Sequence, residues 1–170
     1  MDAKTRVLIS LDQAAKVSGF AIFENEKLVR SGTFSIPPHK PIEERLARFY
    51  QELTDLYYDY ADCDNIEFAF EDIQLQAGNV KTYKVLAYVQ AVLLLFCFYN
   101  KIPYTVSTPS HWRKLLGGNF GRKREEQKQH AIEYVKDVCG KVVSSDEADA
   151  VCIGLARIKE KREDQTGFQA

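Results

Sequence analysis

Apolar and polar positions change period several times along the chain, and each change marks an element. Residues 6–11 (Arg-Val-Leu-Ile-Ser-Leu) are a short apolar run that stops at Asp12, the pattern of a core strand. Residues 19–23 and 28–36 read as two more strands around the polar turn Glu24-Asn25-Glu26-Lys27, and Pro37-Pro38 ends this meander. Ile42, Leu46, Phe49, Leu53, Leu56 and Tyr60 then recur at steps of 4, 3, 4, 3 and 4, one stripe of a helix. Residues 65–71 return to alternation, with Ile66, Phe68 and Phe70 on one face and Glu67, Ala69 and Glu71 on the other. Residues 81–99 predict a long helix, apolar nearly all round in its second half. A short strand over 103–106 follows, then Thr108-Pro109, an N-cap with proline at the first helical position. The helix it opens ends near Gly117-Gly118, and another covers 122–139. Ser144 with Glu147 three residues later is a capping-box pattern opening a last helix to about Lys161, with a polar tail expected to fray. The order describes an α/β fold, a mixed five-stranded sheet with helices on both faces, in a single domain spanning 1–170.

Composition narrows the class. At 170 residues with 45% hydrophobic and 28% charged positions, the chain is long enough for a real core and is not disordered. Lys plus Arg is 23 against 24 for Asp plus Glu, which excludes a strongly basic tail-type nucleic-acid binder but allows a locally basic face. Cys63, Cys97, Cys139 and Cys152 show no C-x-x-C spacing and lie in or beside apolar runs. They read as core thiols in a reducing, cytoplasmic compartment rather than a zinc site or disulfide framework. The N-terminus runs straight into a strand pattern without a signal peptide. The greasy stretch 85–99 contains Gln90 and is too short to span a bilayer, so it reads as a buried helix.

Acids stand where the element pattern does not need them. Asp12 ends the first strand, Glu71 ends the fourth, and Asp146 and Asp149 share a face of the last helix. If the first and fourth strands are neighbours, a helix across that sheet end gathers all four. Gathered carboxylates repel, and hard divalent cations such as Mg²⁺ relieve the repulsion. Two such ions roughly 3.5–4 Å apart can activate water and stabilise a leaving 3′ oxygen, which is in-line phosphodiester hydrolysis. Each acid also has a bland role: turn former, strand-end charge (with Asp72 equally placed), dipole partner, solvated face.

Basic residues cluster between His111 and Lys128: Arg113, Lys114, Arg122, Lys123 and Arg124 around a glycine-rich loop, opposed by Glu125 and Glu126. With Lys81 and Lys84 they are candidate phosphate contacts. Lys114 or Lys123 is the expected cation beside the metals. His130 reads as a surface or packing residue and Trp112 as a packing anchor. The 81–99 helix is more apolar than one sheet face requires, so core burial competes with a dimer interface there.

Leu11-Asp12 followed by Ser18-Gly19-Phe20-Ala21-Ile22 resembles the first hairpin of the RuvC-type Holliday-junction resolvases, of the RNase H-like superfamily. Phe70-Glu71-Asp72-Ile73 is similar to that family's second acidic motif, and Asp146-Glu147-Ala148-Asp149-Ala150 to its terminal D-x-x-D-A helix. The resemblance runs from residue 5 to about 158. It implies a homodimeric Mg²⁺-dependent endonuclease, with Mn²⁺ able to substitute, that cuts branched DNA by paired nicks. Asp12, Glu71, Asp146 and Asp149 would be its metal ligands. Two departures stand out: Asp12-Gln13-Ala14 where the family often has Asp-Pro-Gly, and Gln74 where bacterial members carry an aromatic residue. Alternatives are a related nuclease acting on RNA or another structured nucleic acid, and a catalytically dead nucleic-acid-binding module.

Overall fold

The computed structural model describes residues 5–167, apart from 64, 76, 77 and 119. Ten elements follow one another: β1 (Arg6–Asp12), β2 (Val17–Glu24), β3 (Lys27–Ser35), α1 (Ile42–Tyr58), β4 (Asn65–Glu71), α2 (Val80–Tyr99), β5 (Tyr104–Ser107), α3 (Pro109–Leu116), α4 (Arg124–Cys139) and α5 (Ser145–Gly167). The strands form one sheet in the order β3-β2-β1-β4-β5. β1, β2 and β3 are antiparallel neighbours, whereas β4 runs parallel to β1 and β5 parallel to β4. The expected mixed sheet is therefore present, with β1 beside β4.

Strand alternation sorts the sheet into two cores. Val7, Ile9 and Leu11 of β1, with Phe68 and Phe70 of β4, meet Phe49 and Leu53 of α1 and Leu93 and Phe96 of α2. Leu8 and Ala69, on the opposite face, meet Trp112 of α3, Ala131 and Val135 of α4, and Val151 and Ile153 of α5. Side chains two apart share a face. Asp12 therefore follows Leu8 and Ser10, and Glu71 follows Glu67 and Ala69, onto the α3–α5 side. Leu11 pairs with Phe70 across the parallel ladder, so the two acids leave the sheet side by side.

The sequence reading needs correction at several points. α2 begins at Val80 and spans twenty residues, so by length and composition alone it could cross a membrane. It is not the wholly buried helix expected: Val89, Leu93, Phe96 and Cys97 are buried, while Leu95, Phe98 and Tyr99 stay exposed. Gln90, a polar residue midway along that helix, accepts from the Ile73 backbone N–H and donates to Asp72, fixing the exit of β4. α4 starts at Arg124 rather than 122, because Glu126 reaches back to the N–H groups of Arg122 and Lys123. α5 does not fray after Lys161 but continues to Gly167, pinned to the sheet by ion pairs of Arg157 and Lys161 with Glu67 and of Arg162 with Glu26. The capping box of α5 is half formed. Ser144 Oγ accepts from the Glu147 N–H, but the Glu147 carboxylate turns to Ser31 and Lys141.

Candidate active site

Three structural units bring the acids together. The first is the β1–β4 pair, whose parallel register sets Asp12 and Glu71. The second is the first turn of α5. It crosses the sheet so closely that a Cβ on Gly19 would lie 1.9 Å from the Asp146 carbonyl oxygen, and only glycine fits beneath it. Further along, Ser10 Oγ donates to the Ala150 carbonyl at 2.7 Å, and a Cβ on Gly154 would lie 2.2 Å from the Phe23 ring. These contacts fix how far α5 can slide or turn, and hence where Asp146 and Asp149 sit. The third unit is α3, whose first turn is capped by Thr108 with Pro109 leading the helix, as expected. It places Trp112 and Arg113 against the acids.

Asp12, Glu71, Asp146 and Asp149 line one cleft of about 760 Å³. Burial pushes Asp12 well above the usual carboxylate range, and the charges of Glu71, Asp149 and Asp146 push it further, with Arg113 opposing. Burial also raises Glu71, against the opposing effects of the Trp112 hydrogen bond and the Arg113 charge. Asp149 is pushed up to about 7 by burial and then by Glu71, while Arg113 and Lys128 pull it down. Mutual repulsion among buried carboxylates is the signature expected of a site built for cations. Among the described residues, no three His, Cys, Asp or Glu side chains close into a ready-made metal cage. The acids instead flank the cleft, an open arrangement suited to an ion that keeps waters and substrate oxygens in its shell. Gln13, directly after Asp12, donates from Nε2 to the Glu71 carbonyl. Its buried Oε1 has no partner among the described residues.

The cations divide. Arg113, rather than Lys114 or Lys123, is the cation whose charge lowers Asp12, Glu71 and Asp149 alike. Lys114 lines a smaller neighbouring pocket with Gln74, Arg113 and Phe120. Lys16, Arg122, Arg124 and Lys128 line the main cleft, whereas Lys81, Lys84 and Lys123 are exposed and not part of its wall. Lys84 lies 5.9 Å over the Tyr88 ring. His130 is an exposed residue 6.3 Å from the Phe120 ring and away from the acids. Trp112 is the packing anchor expected, 1% exposed, but it does more: its Nε1–H donates to Glu71 Oε2 at 2.7 Å. Periodicity could not reveal that link, since the two residues lie 41 positions apart on different elements.

A family model described as crossover junction endodeoxyribonuclease RuvC matches residues 8–157. The chain belongs to this family. RuvC members are DNA endonucleases that depend on a divalent metal. The RuvC of Thermomicrobium roseum is 25% identical over 159 residues, covering 91% of this chain and 94% of that one. The RuvC of Corynebacterium diphtheriae is 28% identical, covering 89% and 86%. Among solved structures, Thermus thermophilus RuvC in complex with a Holliday junction substrate aligns with a TM-score of 0.76 at 16% identity, over 93% of this chain and 96% of that one. The yeast mitochondrial Holliday junction resolvase Ydc2 aligns with a TM-score of 0.57 at 14% identity, over 97% and 83%. At such identities the structures establish the shared RNase H-like fold. The family's hard-oxygen chemistry fits the donors present: four carboxylates, three of them driven toward protonation by burial and by neighbouring acids.

Proposed function

We propose that this chain is a Mg²⁺-dependent endonuclease, also served by Mn²⁺, that resolves four-way DNA junctions by paired nicks as a cytoplasmic homodimer of one nuclease domain. The observation that carries the reading is the convergence of Asp12, Glu71, Asp146 and Asp149 on one cleft walled by Lys16, Arg122, Arg124 and Lys128. The four acids would hold the metal, which when bound supplies an activated water and charge stabilisation at the scissile phosphate. The basic wall binds and orients the phosphodiester backbone. Arg113, beside three of the acids, faces the charge that builds on the reacting phosphate. Homodimer formation is supported by α2, where Tyr88, Leu95 and Phe98 form an exposed apolar stripe at helical spacing, Phe98 being 74% exposed. Two copies joined there would present one cleft to each of two strands.

The deciding experiment is nicking of a synthetic four-way junction in Mg²⁺, with linear duplex and RNA–DNA hybrid as competitors. The parent protein should cut the junction in preference to both. Asp12→Asn should lower the rate about 10³-fold or more while junction binding persists. Equal cleavage of the hybrid would reassign the substrate. Junction binding without nicking at any Mg²⁺ or Mn²⁺ level would mark a binding module.

A further inference from the structure

We propose that Trp112 is a positioning residue. Its indole edge clamps the Glu71 carboxylate while its ring face carries the Arg113 guanidinium, so one side chain sets an acid and the cation of the centre relative to each other. The inference rests on the reading of Glu71 as a metal ligand.

Trp112 is held on every side that matters. It sits on a helix whose start is fixed by the Thr108 cap. Its ring packs edge-on against Phe120 at 5.6 Å and 84°, and only 1% of its surface is exposed. A tryptophan so confined has a single orientation for its one polar atom, and the indole N–H can only donate. A purely structural tryptophan would satisfy that N–H on any nearby carbonyl. Here it meets Glu71 Oε2 at 2.7 Å, in a hydrogen bond strengthened by the carboxylate's charge. The bond favours one orientation of the Glu71 carboxylate, the orientation in which that group would meet a metal. The backbone of the same residue is held independently, because Gln13 Nε2 donates to the Glu71 carbonyl.

The ring face has a second task. Arg113 Cζ lies 4.7 Å from the Trp112 ring centroid, a cation–π distance. Arg113 Nε is buried and has no hydrogen-bond partner among the described residues, and the aromatic face helps hold the guanidinium. Edge and face thus serve opposite charges, which lets the two tasks be separated.

The sequence contains a single tryptophan, so replacing it throughout the protein changes one position. β-(3-Benzothienyl)alanine keeps the bicyclic outline and ring face but puts sulfur where the N–H is; Trp112→Phe is the genetic counterpart. Mn²⁺ binding is measured by calorimetry on the full chain for the parent, both replacements and Glu71→Gln, with circular dichroism confirming the fold. The lone indole's emission is followed during Mg²⁺ addition in the parent and in Glu71→Gln. The parent's emission should shift as the ion arrives, and Glu71→Gln should abolish the shift. The benzothienyl protein should bind Mn²⁺ about 10–100-fold more weakly than the parent. Parent-like Mn²⁺ affinity in that protein would overturn the clamp and leave Trp112 a packing residue. Indistinguishable Mn²⁺ binding by the parent and Glu71→Gln would instead remove Glu71 from the ligand set, and the clamp with it. If Trp112→Phe fails to fold, the shape-preserving replacement still decides.

Discussion

The two faces of the sheet are built to different tolerances. On the α1–α2 face, Ile9, Leu11, Phe68 and Phe70 meet Phe49, Leu53, Leu93 and Phe96 through aliphatic and aromatic contact. Such packing is non-directional, and volume-conserving changes there cost little. On the α3–α5 face, the apolar core is inlaid with directed contacts: Ser10 to Ala150, Trp112 to Glu71, and glycine at 19 and 154. Directed contacts cannot be exchanged one for another. The face that must place four acids is the face whose packing has orientation.

That contrast can be broken most severely at Gly19. Gly19→Ala drives a methyl into the Asp146 backbone. It should cost about 3 kcal/mol or more in a urea titration, by overpacking, and should abolish nicking even in the fraction that stays folded. On the other face, Leu93→Ala should cost a comparable amount, about 2–5 kcal/mol, by leaving a cavity in the core. Its nicking rate per folded molecule should stay within about twofold of the parent, because none of the four clustered acids hydrogen-bonds to that helix. A rate collapse in Leu93→Ala would show that the faces are not separable.

Smaller effects sharpen the comparison through pH. Asp149 is held at about 7 in the fold against an ordinary value of 3.8. The folded chain therefore binds a proton there that the unfolded chain has released. In metal-free buffer, stability should fall as pH rises from about 4 through about 7, with Asp12 and Glu71, raised by the same burial, contributing in the same direction. Asp149→Asn should flatten this slope and raise Tm at pH 8 by roughly 3–6 °C, or about 1–2 kcal/mol, while nicking is lost. Calorimetric melts across that range check both; an unchanged slope would locate the repulsion elsewhere. The mildest expected effect is on the rim. Changing Arg122, Lys123 and Arg124 to Gln should weaken junction binding and reduce its salt slope by about 1–2 units. Reverting position 123 alone should alter neither much, since Lys123 is not part of the cleft wall.

Much of this arrangement was legible in the residues. A short apolar run marked β1 and period-2 alternation marked β4, and Asp12 and Glu71 stood out as acids closing those strands. Asp146 and Asp149 announced a shared face by their spacing. The cation was harder, because Arg113 and Lys114 are adjacent on a helix and their directions differ by about 100°. Only the docking of α3 decides which one reaches the acids. α2 misled for a related reason: an all-round apolar helix does not say which of its stripes this chain covers itself. The Trp112–Glu71 bond and the clearance over Gly19 are long-range facts, invisible to any local pattern.

The Ser10 hydroxyl, two residues before Asp12 and hydrogen-bonded one residue beyond Asp149, works as a gauge between strand and helix. An α-helix advances about 1.5 Å and turns about 100° for each residue of slip. Inserting or deleting one residue between Asp149 and Ala150 would therefore swing both aspartates out of line with the strand-end pair, even if every apolar contact were re-formed, and a change between Asp146 and Asp149 would swing Asp146 alone. Evolution or design can lengthen the loop before α5 and the tail after Ala156 far more freely than those few positions.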